Sequence, residues 1–398
     1  MLRSIQALFS DASVSAVVAG FVSVLVGFSS AAVIVFQAAQ TLGASEADIG
    51  SWMWALGTGI GLTSILLSLR YRAPVVTAWS TPGAALLITS AANVSMAEGI
   101  GAFLISAVLM TLCGVTGWFE QAMNRIPLSM ASALLAGVLL RFGLDVFVAM
   151  ETRFGLVFPM FCVYLLAYRF FPRYAVLAAL SLGVAIAALQ GSIQAEALSL
   201  QLATPILTQP QFSLSALIGV ALPLFVVTMA SQNVPGVAVL RASGYTNVPI
   251  SPLISWTGIA TLVLAPLGAF AMNLAAITAA ICMGPEAHKD PDKRYVAAVA
   301  AGGFYLLVGI FGATVGALFT ALPQELVLAI AGLALLSTIG KGLATALGQD
   351  SEREPALITF LVTASGITLW SIGSAFWGLV AGTIAIGLLR FSKADSPS

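Results

Sequence analysis

Val75-Val76-Thr77-Ala78-Trp79-Ser80-Thr81-Pro82-Gly83-Ala84-Ala85-Leu86-Leu87 decides how this chain is to be read. It opens on β-branched and aromatic residues that favour extended backbone, then changes character at Ser80. A hydroxyl followed closely by proline marks a helix start. The side-chain oxygen accepts from free N–H groups, and a proline in the first turn has no N–H to satisfy. A helix therefore begins in the middle of an apolar stretch, 75–92, rather than at its edge. A counterpart lies at 270–284, where Asn273 precedes Leu274-Ala275-Ala276-Ile277-Thr278-Ala279-Ala280 and is placed to cap a second short helix. One proline alone also reads as a kink in an ordinary helix. Interruptions at matching places in two segments favour two discontinuous crossings.

The surrounding sequence has the composition of a chain that mostly avoids water. Charged residues fill 8% of 398 positions and hydrophobic ones 59%, whereas an average soluble domain is about a quarter charged. This rules out a disordered chain and argues against a large soluble enzyme. Sixteen basic residues balance sixteen acidic ones, which leaves no basic face for nucleic acid. Cys113, Cys162 and Cys282 sit in separate apolar runs and read as small buried hydrophobes, so neither a disulfide framework nor a metal site is expected. The sequence lacks HExxH, GxSxG and P-loop patterns, so no catalytic residue, ATP-driven pump or cofactor is expected.

A crossing of the bilayer core takes roughly 20 apolar residues. Candidate spans fall near 14–40, 48–69, 75–92, 96–119, 127–149, 154–171, 174–190, 213–233, 251–268, 270–284, 294–319, 323–343, 354–371 and 374–391. The expected fold class is an all-α polytopic membrane protein with fourteen transmembrane segments, the third and tenth discontinuous. The first span is too long, and ends too far from any cleavage-like site, to be a signal peptide. With a cytoplasmic N-terminus, fourteen of the sixteen basic residues fall on the inner side, Arg153 lies outside and Arg141 within a span. Glu46, Asp48, Glu98, Glu151 and Glu196 mark the outer loops. The bias predicts that both termini are cytoplasmic.

An internal repeat supports the count. A shift of about 195 residues brings Gly114-x-x-Gly117 onto Gly309-x-x-Gly312, Ala136-Gly137 onto Ala331-Gly332, Ala84-Ala85 onto Ala279-Ala280, and Gln37 onto Gln232. The halves are 1–195 and 196–398. Seven spans per half is an odd number, so the second half enters the membrane in the opposite sense. In such inverted repeats the ligand sits near the midplane where the halves meet.

The candidate site follows from that plan. Two helix N-termini meeting in mid-membrane give a donor-rich, partly positive spot suited to a small anion. On this reading Ser80, Thr81, Gly83, Asn273 and Thr278 bind the ligand. The eighth span adds Ser231, Gln232 and Asn233, with Gln37 at the equivalent place in the first. Amides in lipid are costly unless partnered, so both are expected to face the interior, although C-terminal capping is the plainer reading of Ser231–Asn233. Trp79, Phe225 and Met229 are weaker lining candidates, since aromatics and methionine at helical spacing commonly just pack. Arg141 and Asp145, four residues apart, read as a structural ion pair. Lys341 is expected to snorkel to the inner interface, and His288 to lie in a solvated inner loop.

Four segments resemble one family. Ala78-Trp-Ser-Thr-Pro-Gly-Ala-Ala-Leu-Leu87, Pro223-Leu-Phe-Val-Val-Thr-Met-Ala-Ser-Gln-Asn233, Ala275-Ala-Ile-Thr-Ala-Ala-Ile-Cys282 and Gly373-Ser-Ala-Phe-Trp-Gly378 are similar to the BenE family of benzoate:proton symporters, and the likeness runs over nearly the whole chain. The resemblance implies uptake of benzoate or a similar small aromatic carboxylate across the bacterial inner membrane, with protons and lipid as the other partners. It also implies the seven-plus-seven fold of the uracil and anion transporters. There a core unit of spans 1–4 and 8–11 (about 14–119 and 213–319) moves, elevator-like, against a gate unit of spans 5–7 and 12–14 (about 127–190 and 323–391), often in a homodimer. Nucleobase members of that fold carry acidic or histidine residues on the eighth span; Ser231-Gln232-Asn233 has none, which suits an anionic ligand. Proton coupling is then left to the substrate carboxylate, whose pKa rises on desolvation, or to Asp48, Glu98, Asp145 or Glu286. The rival readings are an anion channel or uncoupled facilitator on the same scaffold, and a binding-only membrane receptor, for which the soluble loops are too short.

Overall fold

The computed structural model describes residues 8, 10–91, 94–192, 202–320, 322–367, 369 and 374–394. Arg3, Glu196 and Gly373, used above in the orientation and motif arguments, lie outside the described residues. The chain is a mostly helical, polytopic membrane protein. In order it forms α1 (Val14–Thr41), α2 (Glu46–Tyr71), β1 (Thr77–Trp79), α3 (Thr81–Ser90), α4 (Met96–Val115), the short α5 (Trp118–Met123), α6 (Leu128–Thr152), α7 (Phe154–Phe170) and α8 (Ala175–Leu189). The second half continues with α9 (Leu214–Ala242), α10 (Ile250–Leu264), β2 (Met272–Leu274), α11 (Ile277–Met283), α12 (Tyr295–Thr320), α13 (Gln324–Leu347), α14 (Arg353–Ala364) and α15 (Ser374–Ala394). Among the described residues, seven helices are long and apolar enough to cross a membrane, and Val14–Phe28, Phe154–Phe170, Ala175–Leu189 and Phe376–Leu389 are shorter apolar helices.

At both places where the sequence predicts an interruption, the chain runs extended and then turns helical. β1 and β2 pair antiparallel, with Thr77 opposite Leu274, Ala78 opposite Asn273 and Trp79 opposite Met272. Each residue of β1 stands 195 positions before its counterpart in β2, and the central pair, Ala78 and Asn273, are each other's counterparts. A two-stranded ribbon this short cannot satisfy its own outer edges, and neighbouring helices do so instead. On the β1 side, Ser64 Oγ accepts from the Thr77 N–H at 3.0 Å and Ser68 Oγ from the Val75 N–H at 3.1 Å, both from α2. On the β2 side, Thr261 Oγ1 of α10 accepts from the Met272 N–H at 3.1 Å, and Asn233 Oδ1 of α9 accepts from the Leu274 N–H at 2.9 Å.

Helix α9 is not a regular α-helix. Its turns widen to π geometry over Leu217–Ala221 and Met229–Asn233. Pro223 and Pro235 follow these stretches. Neither proline can donate back to the preceding turn, and each ring crowds the carbonyl four residues earlier, so the backbone opens there.

Glycines set the helix spacing. α2 packs closely along α12: a Cβ added at Gly57 would lie 2.5 Å from Gly309 Cα, and one at Gly61 2.7 Å from the Gly302 carbonyl. α4 and α10 approach as closely at Gly114 and Gly258, and α6 and α13 at Gly332. α13 packs chiefly on α6, with α14 and α15 beside them, whereas α1, α2, α11 and α12 pack on one another. The Arg141–Asp145 expectation fails: among the described residues no ion pair joins them, and Arg141 is exposed. Lys341 is exposed, as a snorkelling lysine is. Gly57→Val is expected to destabilise the fold by about 1–3 kcal/mol, the typical cost of overpacking. A lowered melting temperature of the detergent-solubilised protein would register it; an unchanged one would refute the close α2–α12 contact.

Candidate substrate site

The helix start read at Ser80 is present. Ser80 is fully buried, its Oγ accepts from the Gly83 N–H at 3.1 Å and from Thr228 Oγ1 at 3.0 Å, and Pro82 occupies the first turn. Ser80 therefore caps α3 and holds α3 on α9, and it is not part of the cavity lining. Gly83 spends its N–H on the same cap. A Cβ there would meet Leu224 Cδ1 at 2.7 Å, so its smallness serves α3–α9 packing.

Asn273 departs from its predicted role. It sits in the middle of β2, four residues before α11, whose N-terminus has no side-chain cap. Its Nδ2 donates to the Ala271 carbonyl at 3.0 Å, bracing a backbone whose φ at Ala271 is +36°. Its Oδ1 is buried without a hydrogen-bond partner among the described residues.

A cavity of about 330 Å³ opens where the two interrupted segments meet. β1 and α3 supply Trp79, Thr81 and Pro82; the β2–α11 junction supplies Ala275, Ala276, Ile277 and Thr278; Gln232 reaches in from the π-turn of α9. Trp79, Thr81, Gln232 and Thr278 are thus the predicted residues that come together. The wall is completed by residues the sequence did not single out: Val26, Gly27 and Ala31 of α1, Phe142 of α6 and Tyr305 of α12. Tyr305 alone carried a signal, a polar-tipped aromatic inside an apolar span.

The geometry of this wall is specific. Trp79 meets the Tyr305 ring edge-on at 6.3 Å and the Phe28 ring edge-on at 5.9 Å, so aromatic faces are fixed in place. Gly27 leaves open the space where a Cβ would come within 2.8 Å of the Tyr305 hydroxyl and 2.9 Å of Thr278 Cγ2. Thr278 Oγ1 is buried and unpartnered among the described residues. The first N–H groups of a helix have no intrahelical acceptor, and those of α11 lie at this wall. Among the described residues, no carboxylate and no basic side chain lines the cavity. A site with hydroxyl, amide and helix-start donors, aromatic walls and no fixed charge can hold a small anion with an apolar body.

Other predicted residues lie elsewhere. Asn233 is fully buried with both ends of its amide engaged: Oδ1 accepts from Leu274 N–H and Nδ2 donates to Met229 Sδ at 3.2 Å. It pins β2 to α9 and does not line the cavity, because the π-turn directs Gln232 and Asn233 to different neighbours. Met229 is occupied by that contact. Phe225 is half-buried against the hydrophobic core, Ser231 is half-buried outside the lining, and Gln37 is exposed near the end of α1. Asp48 and Glu98 are half-buried, each closing a capping box with Ser45 and Ser95 at the starts of α2 and α4, which explains both without proton chemistry. Asp145 is half-buried on α6, away from the cavity. Glu286 is different: it is buried, 7% exposed, in the loop after α11.

The cavity lies among the helices of a polytopic membrane protein, where two interrupted segments meet, which is the setting in which a transporter holds its cargo. The profile of the family described as "BenE: Benzoate membrane transport protein" matches residues 10–388, and the chain belongs to that family. It is 49% identical over 372 residues to "Inner membrane protein YdcO" of Escherichia coli (strain K12), covering 94% of this chain and 95% of that one. It is 42% identical over 395 residues to "Benzoate membrane transport protein" of Acinetobacter baylyi (strain ATCC 33305 / BD413 / ADP1), covering 99% and 100%. Among solved structures, the transmembrane domain of the cyanobacterial bicarbonate transporter BicA aligns with a TM-score of 0.45 at 14% identity, over 93% of this chain and 97% of that one. SLC26A9 aligns at 0.49 and 10%, over 96% of this chain and 65% of that one.

Asn233→Leu is expected to lower stability by about 1–3 kcal/mol, the cost of leaving the buried Leu274 N–H without an acceptor. Thermal unfolding in detergent checks it. If stability held while benzoate binding vanished, Asn233 would be a ligand after all.

Proposed function

We propose that the chain imports benzoate, or a similar small aromatic carboxylate, together with a proton. One observation carries this reading: among the described residues, the cavity between the two interrupted segments combines aromatic walls with uncharged donors and no acidic side chain. Trp79, Phe142 and Tyr305 suit the ring. Thr81, Thr278 and Gln232, with the backbone N–H groups at the helix starts, suit the carboxylate. A hydrogen bond to a charged group contributes about 1.5–3 kcal/mol, so a few such donors can replace the water an anion gives up without a fixed counter-charge. The name of the Acinetobacter relative supports the choice of substrate.

The proposed mechanism is alternating access. The strand pairing centred on Ala78 and Asn273, residues 195 apart, supports two inverted repeats related by an axis through the ribbon. So do Gly117 and Gly312, paired by the same shift and both at positive φ. Counting the two strand–helix segments, the seven long helices, the shorter apolar helices and α14 gives fourteen crossings. In this reading spans 1–4 and 8–11 form a core unit that bears the cavity and slides against a gate unit of spans 5–7 and 12–14. Phe142 is the gate residue at the cavity. The distribution of basic residues supports cytoplasmic termini, and the name of the Escherichia relative supports the inner membrane.

Radiolabelled benzoate uptake into proteoliposomes tests the site. Gln232→Leu and Thr278→Val are each expected to lower the initial rate about tenfold or more, with melting temperatures close to wild type. Wild-type rates in both variants would remove these residues from the site.

A further inference from the structure

Tyr305 of α12 is buried, 1% exposed, and lines the cavity. Its ring is held edge-on against Trp79, so the hydroxyl at its tip has a fixed place. Helix α1 marks that place. Ser23 Oγ donates to the Thr278 carbonyl at 3.1 Å and pins α1 to α11, and one helical turn further along α1 stands Gly27. A Cβ on Gly27 would lie 2.8 Å from the Tyr305 hydroxyl and 2.9 Å from Thr278 Cγ2. One point beside α1 is therefore within reach of both side chains, and the Tyr305 hydroxyl stands next to Thr278. The absence of a side chain at Gly27 is what lets α1, α11 and α12 close on this corner.

A buried hydroxyl stripped of water is costly unless something replaces the lost hydrogen bonds. Among the described residues no protein group hydrogen-bonds the Tyr305 hydroxyl, and the cavity is the side from which a partner can come. Thr278 Oγ1 is likewise buried and unpartnered among the described residues. Around these two hydroxyls the lining is apolar, with Val26, Ala275, Ala276 and Ile277. Two neighbouring hydroxyls that lack acceptors suit a group that brings two acceptor oxygens, and a carboxylate does so. The phenol is the more acidic of the pair, so it donates the stronger hydrogen bond to an anion.

We propose that the Tyr305 hydroxyl donates to the substrate carboxylate, next to Thr278, and so marks the anionic end of the cavity. This rests on the transport reading above and adds to it a binding residue and the orientation of the ligand. The carboxylate lies in the corner formed by α1, α11 and α12, and the aromatic ring of the substrate takes the remaining, mostly apolar lining. Tyr305 then serves twice: its ring is part of the wall, and its tip recognises the charge. A neutral aromatic of the same shape gains the wall but not the charge-assisted hydrogen bond, so this one side chain favours the acid over its uncharged analogues. Gly27 is a positioning residue that acts through Tyr305, because a side chain there displaces the hydroxyl or Thr278 Cγ2.

The test uses the full chain, purified in detergent, and benzoate isotope-labelled at its carboxylate carbon. Tyr305→Phe keeps the ring and its contact with Trp79 and removes only the hydroxyl. Its Kd for benzoate is expected to rise about tenfold or more, with a melting temperature close to wild type. The infrared antisymmetric stretch of the bound carboxylate is expected to leave its wild-type position, because one of its oxygens loses a donor. A residue that merely packs would leave that band in place. An unmoved band, whatever the Kd, overturns the assignment alone and leaves the carboxylate to Thr81, Thr278 and Gln232. A wild-type protein that binds no benzoate overturns the substrate reading and the assignment with it. If Tyr305→Phe does not fold, Tyr305→3-fluorotyrosine decides. It retains ring and hydroxyl but makes the hydroxyl a stronger donor, so the band should shift in the direction opposite to loss of the donor; an unmoved band overturns the proposal.

Discussion

Every backbone N–H and C=O buried away from water must find a partner, and in a bilayer interior only regular structure or neighbouring side chains can supply one. That constraint governs this molecule at β1 and β2. Two crossings give up helical hydrogen bonding for three residues each, and they do so opposite one another, so each repairs half of the other's loss. The remaining edges fall to Ser64 and Ser68 of α2, Thr261 of α10 and Asn233 of α9. Small polar residues inside apolar helices are therefore the scaffold of the ribbon, not scattered exceptions to hydropathy.

The ribbon then fixes the chemistry of the cavity. Because the strands pair, α3 and α11 start close to the same place, and the uncapped first N–H groups of α11 add partial positive charge there without adding a side chain. A lysine or arginine would bind an anion more tightly but would also hold it, which is a poor property in a carrier. Uncharged donors with aromatic walls give a moderate grip that a conformational change can reverse. The close α2–α12 and α4–α10 contacts at glycine make the packing around the ribbon compact.

Ionisable groups divide along the same line. Asp48 and Glu98 are tied up in capping boxes in water, where they contribute to helix starts. Glu286 is buried where the loop after α11 meets α13, and Ser337 donates to it there. Position, not residue type, separates a capping carboxylate from a buried one.

The sequence by itself determined the membrane class, the two interruptions and the helix start at Ser80, and it singled out Trp79, Thr81, Gln232 and Thr278, which line one cavity. Each of these depends on local chemistry or on a repeat that can be read in one dimension. What it could not determine is where a side chain points once helices pack. Asn273 looked like a cap and is a strand residue, because extended pairing with β1 is a long-range event. Gln232 and Asn233 are neighbours in sequence but serve the cavity and the ribbon respectively, because a π-turn changes the phase of the helix face. Gln37 matches Gln232 by the repeat yet is exposed, since the cavity takes Val26, Gly27 and Ala31 of α1 from a different turn. Phe142 and Tyr305 come from distant spans, and Glu286, in a loop that reads as charged and solvated, is buried only because α13 covers it. Packing between elements far apart in sequence decided all of these, and no local pattern encodes it.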